Sequence, residues 1–285
     1  MSSPGASRAA MRRRREGALL LLGLPGLLLL GVIFVWPVAQ LLAQAVKGGT
    51  LEHLEKAAFD ELYLSVLLDS LRIAAVVTVI CLLLAYPVAA WLARAGRLGL
   101  ALGFFALLLP FWTSVLVRTY AWLVMLGRNG IVNRALLDLG WIEAPLPLLH
   151  NLMGVVIGMV HVLLPYMVFP IYAALARMDQ DLPRAAEGLG ASPWRAFLRV
   201  TLPLSLPGVA AGCALVFVLS LGFFITPALL GGGRVIMISM LIEQQVRELL
   251  EWPFAAALSA VLLAATLVIY GLIGRLTRGG AHAAP

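Results

Sequence analysis

Long apolar segments constrain the fold of this chain more than any other feature of its sequence. A helix that crosses roughly 30 Å of hydrocarbon needs about 20 mostly apolar residues. Hydrophobic residues make up 62% of the chain and charged residues only 12%, against roughly 45–50% and about 25% in soluble domains. We therefore predict an all-α membrane protein, residues 1–285 forming a single transmembrane domain with six helices. The six predicted spans are residues 17–45, 66–92, 99–126, 149–175, 205–225 and 252–274.

The first apolar segment is predicted to be an uncleaved span. It runs from Gly17 to about Val46, well beyond the 7–15 residues of a typical signal-peptide core. No small-residue cleavage site closes it early, so we expect this segment to stay in the membrane.

The distribution of basic residues predicts the orientation. If the N-terminal tail, residues 1–16, is cytoplasmic, the same side holds 13 of the 21 Lys and Arg residues, including those of the C-terminal tail, 275–285. The positive-inside rule then places both termini, and residues 176–204, on the cytoplasmic side, and we expect the membrane to be a bacterial inner (plasma) membrane. The net charge of +7 reflects this topology and contact with anionic lipid, and indicates no nucleic-acid partner.

The polar segment between the fourth and fifth spans carries the signals of a first short helix. Asp181 is a plausible N-cap, Pro183 suits the first turn, and Gly188 or Gly190 would end the helix. These signals predict a helix of about two turns.

A second short helix follows at once. Ser192 is the expected cap, Pro193 lies just inside, and "LP" at 202–203 is predicted to end the helix. Trp194, Phe197 and Leu198 share one helical face. The two helices make an elbow that either lies on the lipid headgroups or docks into a partner.

This segment resembles the "EAA" loop of the membrane subunits of binding-protein-dependent ABC importers. That pattern runs E-A-A, then G at the seventh position, then I-x-L-P at positions seventeen to twenty. Arg184 stands where the pattern has Glu, and Glu187 lies one turn later. The other matching residues are Ala185, Ala186, Gly190, Val200, Leu202 and Pro203. The resemblance implies that these eight residues contact an ATPase subunit, and the Arg puts in doubt any ion pair made by the first Glu.

Three further stretches resemble the polyamine (spermidine/putrescine) permeases within that family. They are "LPFWTSVLVRTYAWLVMLGRNGIVN" (109–133), "IGMVHVLLPYMVFPIYAAL" (157–175) and "GFFITPALLGGG" (222–233). The resemblance implies a type I ABC importer permease fold with a cytoplasmic helix-turn-helix coupling loop. It also implies a second permease subunit, a pair of ATPase subunits, an extracytoplasmic binding protein and a polyamine substrate. Import of another small solute, such as an opine or a phosphonate, is the alternative.

The sequence has no G-x-x-x-x-G-K-[ST] phosphate loop. We therefore expect no cofactor on this chain, no catalytic residue and no metal site, and ATP hydrolysis in a partner. A secondary transporter or channel would need intramembrane carboxylates to relay ions, and the spans are nearly devoid of Asp and Glu.

Polar and aromatic residues in or near the spans are candidates for the substrate path, because polar groups in hydrocarbon are costly and ring faces attract ammonium groups. Arg118 either forms a structural ion pair or gate, or lines the path. His161 is either a helix–helix hydrogen-bonding residue or a ligand, and Glu243 either contacts a polycation or is a solvated loop charge. The full set is Trp112, Thr113, Arg118, Tyr120, Trp122, His161, Tyr166 and Glu243.

Two Gly-x-x-x-Gly spacings, Gly154/Gly158 and Gly208/Gly212, would let helices approach closely. They predict either packing within the subunit or contact with a second permease subunit.

Overall fold

A computed structural model describes residues 4–46, 51–179 and 181–280. Within these residues the chain forms helices joined by turns and by one longer loop, residues 139–151. The helices are α1 (Pro4–Gln44), α2 (Glu52–Phe59), α3 (Glu61–Arg94), α4 (Arg97–Leu108), α5 (Val115–Leu126), α6 (Ile131–Asp138), α7 (Leu152–Arg177), α8 (Asp181–Gly188), α9 (Pro193–Ala196), α10 (Leu202–Leu221), α11 (Ile225–Gly231), α12 (Ile238–Arg247) and α13 (Trp252–Gly280).

Five helical segments are long and apolar enough to cross a membrane: Leu24–Gln44, Glu61–Arg94, Leu152–Arg177, Pro193–Leu221 and Trp252–Gly271. The sixth candidate is a bent pair, Arg97–Trp112 and Val115–Asp138, whose axes differ by 98°. The described residues thus hold six spans if the bent pair counts as one, but two of the predicted ranges differ from the structure.

The predicted third span, residues 99–126, is not one continuous helix, because the chain breaks between α4 and α5. A 3₁₀ turn, Leu109–Trp112, follows α4. The Thr113 hydroxyl then donates to Pro110 O at 3.0 Å, and the Ser114 hydroxyl accepts from Leu116 N–H at 3.3 Å. These local side-chain hydrogen bonds compete with the helical pattern and let α5 start in a new direction.

The predicted end of the second elbow helix at Leu202–Pro203 is also wrong. Helix α9 passes through a π-helical turn, Phe197–Thr201, directly into α10, so one helix runs from the elbow into the membrane. Proline has no N–H, and its ring clashes with the carbonyl four residues earlier. The wider π turn just before Pro203 relieves this clash. The hydrogen-bond pattern changes there, but the helix continues.

The predicted fifth span, 205–225, therefore begins too late, and it also ends too late. Helix α10 ends at Leu221, and the short helix α11 follows after three residues. The free carbonyl of Phe223 at this break accepts a hydrogen bond from the Ser239 hydroxyl at 2.7 Å.

The main hydrophobic core lies where α3, α7 and α10 pack together, and Val77, Met159 and Met167 are fully buried there. Both cysteines, Cys81 and Cys213, belong to the same packing, as expected of small apolar residues. Helices α2, α12 and α13 pack around Phe254 and form a smaller core. This core lies at the end of the bundle opposite the elbow.

Small residues permit the close crossings of these helices. A Cβ atom on Gly208 would lie 2.5 Å from Pro170 O, and one on Gly212 would lie 2.8 Å from Met167 Sδ, both on α7. A Cβ on Gly158 would meet Leu230 and Thr226 of α11. Within the described chain, both Gly-x-x-x-Gly spacings thus serve packing inside the subunit, which confirms the first of the two sequence alternatives.

Candidate functional site: an elbow and a small cavity

The corner of the elbow (residues 181–203) is a helix C-cap that requires glycine. Ala191 N–H donates to Ala186 O at 3.0 Å and Gly190 N–H donates to Glu187 O at 2.9 Å, the two hydrogen bonds of a Schellman motif. Gly190 occupies the left-handed position of this motif with φ +90°. Of Gly188 and Gly190, the two glycines predicted to end the first helix, Gly190 forms the corner.

The start of the elbow differs in detail from the sequence prediction. Asp181 is already the first residue of α8, and its N–H donates to Asp179 Oδ1 at 3.0 Å. Asp179 therefore supplies the acceptor expected of Asp181. Ser192 caps α9 as predicted, because its hydroxyl accepts from Arg195 N–H at 3.4 Å.

The tip of the elbow exposes large apolar side chains. Leu189 is 91% exposed and Trp194 is 66% exposed, while Phe197, on the same predicted face, is half-buried under the Trp194 ring at 5.4 Å. Exposed apolar patches on such a projection mark surfaces that meet another protein or a membrane. The sequence expectation of an elbow with one apolar side thus fits the geometry.

The eight residues of the EAA-like pattern fall on both sides of the corner. Arg184, Ala185, Glu187 and Gly190 are exposed on α8 and at the corner, and Ala186 is half-buried. Val200, Leu202 and Pro203 lie on the continuous helix toward the membrane, the first two half-buried.

Arg184 pairs locally. Its Nη1 lies 3.3 Å from Asp181 Oδ1, and both side chains are more than three-quarters exposed. An exposed pair of this kind contributes little to stability, so the guanidinium stays available at the surface where the pattern has Glu.

Arg118 and Tyr166 share a small cavity of about 100 Å³ between α5, α7 and α10. The Phe111 ring lies 5.2 Å from the Tyr166 ring at the same place. In the described part of the chain, Arg118 has no ion-pair partner, and its buried Nε has no hydrogen bond. Arg118 thus lines a cavity whose other walls, apart from Tyr166, are apolar side chains, and its role as a gate or as a residue that lines the substrate path stays a prediction.

Trp122 and His161 form a direct contact between α5 and α7. Trp122 Nε1–H donates to His161 Nδ1 at 3.1 Å, with the ring centroids 5.6 Å apart. His161 therefore makes the helix–helix hydrogen bond that the sequence analysis considered against a ligand role, and Trp122 is engaged by the same bond.

The other candidates are not brought to this cavity. Trp112 is 88% exposed, Tyr120 is also exposed, and the exposed Thr113 bonds to the Pro110 carbonyl. These three residues lie on the outer surface of the described chain. Glu243 lies on α12, and its side chain is 34% exposed. The Glu243 carboxylate lies 3.6 Å from Arg247 Nε.

Among the described residues, two hydroxyl–hydroxyl contacts between helices were not predicted from the sequence. Thr119 and Thr226 join α5 to α11 through hydroxyl groups 3.2 Å apart. Tyr86 and Ser205 join α3 to α10 with oxygens 2.9 Å apart. Each pair is separated by more than 100 residues, and no local pattern in one sequence relates positions that distant.

Comparison with known proteins places these features in context. The sequence profile described as "Binding-protein-dependent transport system inner membrane component" matches residues 17–279. The chain is 39% identical over 215 residues to the "Spermidine/putrescine transport system permease protein PotB" of Haemophilus influenzae, covering 74% of this chain and 75% of that protein. It is equally identical over 220 residues to the protein of the same name from Escherichia coli, covering 76% and 80%.

The fold is also similar to that of a solved transporter. The structure of a "bacterial alginate ABC transporter in complex with alginate pentasaccharide-bound periplasmic protein" contains a chain that matches with a TM-score of 0.73 and 18% identity, over 96% of this chain and 99% of that one. At this identity the likeness concerns the fold alone.

Proposed function

The chain belongs to the family of binding-protein-dependent transport system inner membrane components, and from this premise we propose that it forms part of the transmembrane path for a polyamine such as spermidine or putrescine. It is an inner-membrane permease subunit of an ABC importer with the type I permease fold that its sequence predicted. The secondary transporter considered in the sequence analysis is not favoured.

One observation carries the substrate proposal. The chain shares 39% identity with spermidine/putrescine permeases over about three-quarters of its length. The rings of Phe111 and Tyr166 at the cavity beside Arg118 support it, because cations are attracted to aromatic ring faces. Arg118 would repel a cation, so we propose that it faces the path as a gating charge and does not bind the substrate.

The elbow is the proposed site of coupling to ATP hydrolysis. We place it in the cytoplasm, in line with the arginines around it, and assign its exposed tip to a cleft of an ATPase subunit. The working assembly would contain two ATPase subunits, a second permease subunit and an extracytoplasmic binding protein. ATP would bind the partner ATPases and no cofactor would bind this chain.

The proposal is tested by ATP hydrolysis of the purified complex with its binding protein and a panel of solutes. We expect spermidine or putrescine to raise the rate of ATP hydrolysis by about fivefold or more, which corresponds to a barrier lower by ~1 kcal/mol. Stimulation by an opine, a phosphonate or an oxyanion, with no response to polyamines, would assign the chain to another solute.

Glu243→Gln tests whether this carboxylate contacts the polycation. We expect the half-saturating spermidine concentration for uptake to rise about two- to fivefold, corresponding to the ~0.4–1 kcal/mol of a partly exposed charge pair. Glu248→Gln, at the C-cap of α12, is the matched control, since Glu248 accepts a hydrogen bond from Gln244 Nε2 at 3.2 Å on the protein surface. Equal effects of the two variants would make Glu243 an ordinary surface charge.

A further inference from the structure

The elbow joins the membrane helix through a turn with an unusual hydrogen-bond pattern. In the π-helical turn, Phe197–Thr201, the N–H of Leu202 donates to Phe197 O, five residues back. Such insertions are rare in helices and often occur at functional sites. A π turn can return to α-helix by a small shift of its hydrogen bonds, so this segment can change its length and direction.

Tyr86 of α3 contacts both this turn and the start of α10. Its ring packs edge-on against the Phe197 ring at 5.7 Å, with an angle of 87°. Its hydroxyl lies 2.9 Å from Ser205 Oγ. Because Ser205 uses its single proton to bond Leu202 O at 2.9 Å, Tyr86 is the donor in this pair.

The surroundings of Tyr86 leave room for movement. A cavity of about 260 Å³ lies beside the π turn, between α3 and α7. Pro87 follows Tyr86 inside α3 and removes one backbone donor there, which makes α3 easier to bend. The residues that line the cavity include Tyr86, Pro87, Arg94, Phe197 and Thr201.

Beyond the turn, α10 is held firmly. Gly208 is buried against Pro170 O and Ala174 of α7, with no space for a side chain. The π turn therefore lies between an exposed elbow and a tightly packed helix, and Tyr86 is a side chain of α3 that contacts both the turn and the start of α10.

We propose that Tyr86 is a positioning residue of the transport cycle: it clamps the π turn so that displacement of the elbow moves α3 and α10 together. Without the clamp, a change in the π turn would absorb the displacement before it reached the membrane helices. This inference rests on the proposed coupling role of the elbow.

Tyr86→Phe removes only the hydroxyl and keeps the ring against Phe197. In proteoliposomes that hold the complete importer, we expect spermidine uptake per ATP hydrolysed to fall about two- to tenfold, the range for loss of one hydrogen bond, at an unchanged hydrolysis rate. Ser205→Ala should have the same effect, and the double variant should be no worse than either single one. Ser220→Ala is the control, because that buried hydroxyl bonds Val216 O of its own helix at 2.7 Å.

Hydrogen exchange of the detergent-solubilised full chain gives a second readout that needs no substrate. Amide exchange of residues 197–206 should rise about two- to tenfold in Tyr86→Phe, and it should stay at the wild-type rate in Ser220→Ala. Unchanged exchange, or unchanged uptake per ATP where the wild type transports spermidine, would overturn the clamp. Absence of spermidine uptake by the wild type would count against the polyamine proposal instead, while the exchange result would still decide whether Tyr86 holds the turn.

Discussion

Replacing Gly190 by valine is expected to abolish ATP-driven uptake while the inserted protein stays at its normal level. Gly190 has φ +90° at the corner of the elbow, a conformation that a β-branched residue adopts only with strain. The two C-cap hydrogen bonds to Ala186 and Glu187 would be lost, and α8 would leave its position relative to α9. Because a Cβ at Gly190 would meet nothing within 4 Å among the described residues, the membrane bundle should fold as before.

Uptake into proteoliposomes measures this effect, with insertion followed by the amount of purified complex. Gly188→Val is the matched control, since Gly188 lies within α8, also has open space at its Cβ and has no positive φ. Gly190→Asn should restore part of the uptake, because asparagine tolerates left-handed conformations better than valine. Normal uptake by Gly190→Val would remove the corner from the mechanism.

Gly208→Val is expected to destabilise the bundle itself. The new Cβ would lie 2.5 Å from Pro170 O and 2.6 Å from Ala174 Cβ, so α7 and α10 would be forced apart. Overpacking of about 3 kcal/mol, at 2–4 °C per kcal/mol, predicts a fall of ~6–12 °C in the unfolding midpoint.

Thermal unfolding of the purified chain in detergent measures the change. Gly31→Val on α1 introduces the same side chain where a Cβ meets nothing within 4 Å, and it should leave the midpoint within about 2 °C of the wild type. An unchanged midpoint in Gly208→Val would mean that α7 and α10 do not pack as closely as the structure has them.

The membrane class and most of the spans could be predicted from sequence because apolar length is a local property. The elbow could be predicted equally well, since caps, helix-starting prolines and a glycine corner act within a few residues of one another. Gly190, one of the two glycines predicted to end α8, is an example, because it forms the C-cap corner in the structure.

The two span ranges that differ from the structure do so for opposite reasons. Pro203 predicts a helix end by its chemistry, yet packing of α10 against α3 and α7 keeps the helix continuous, and the π turn accommodates the proline. In the third span the opposite happened: an apolar run that reads as continuous is broken at Thr113 and Ser114 by hydrogen bonds of their own side chains.

The cavity shared by Arg118 and Tyr166 was only partly predictable, because residue type does not reveal which way a side chain points. Arg118 and Tyr166 face one cavity, whereas Trp112 and Tyr120, from the same sequence stretch, point away from it. Trp112 lies before the break between α4 and α5, and Tyr120 lies two residues after Arg118, on roughly the opposite side of α5. Tyr86 gave no signal at all, because its partner lies 119 residues further along the chain.

The most direct test of the account is spermidine uptake into proteoliposomes that contain this chain and its partner permease, with and without the ATPase pair. With binding protein outside and ATP inside, uptake should occur only when the ATPases are present, and it should stop when Gly190→Val replaces the wild type. Uptake of spermidine at the same rate without ATPases or nucleotide would contradict the central claim that the elbow transmits work from a separate ATPase to the membrane helices.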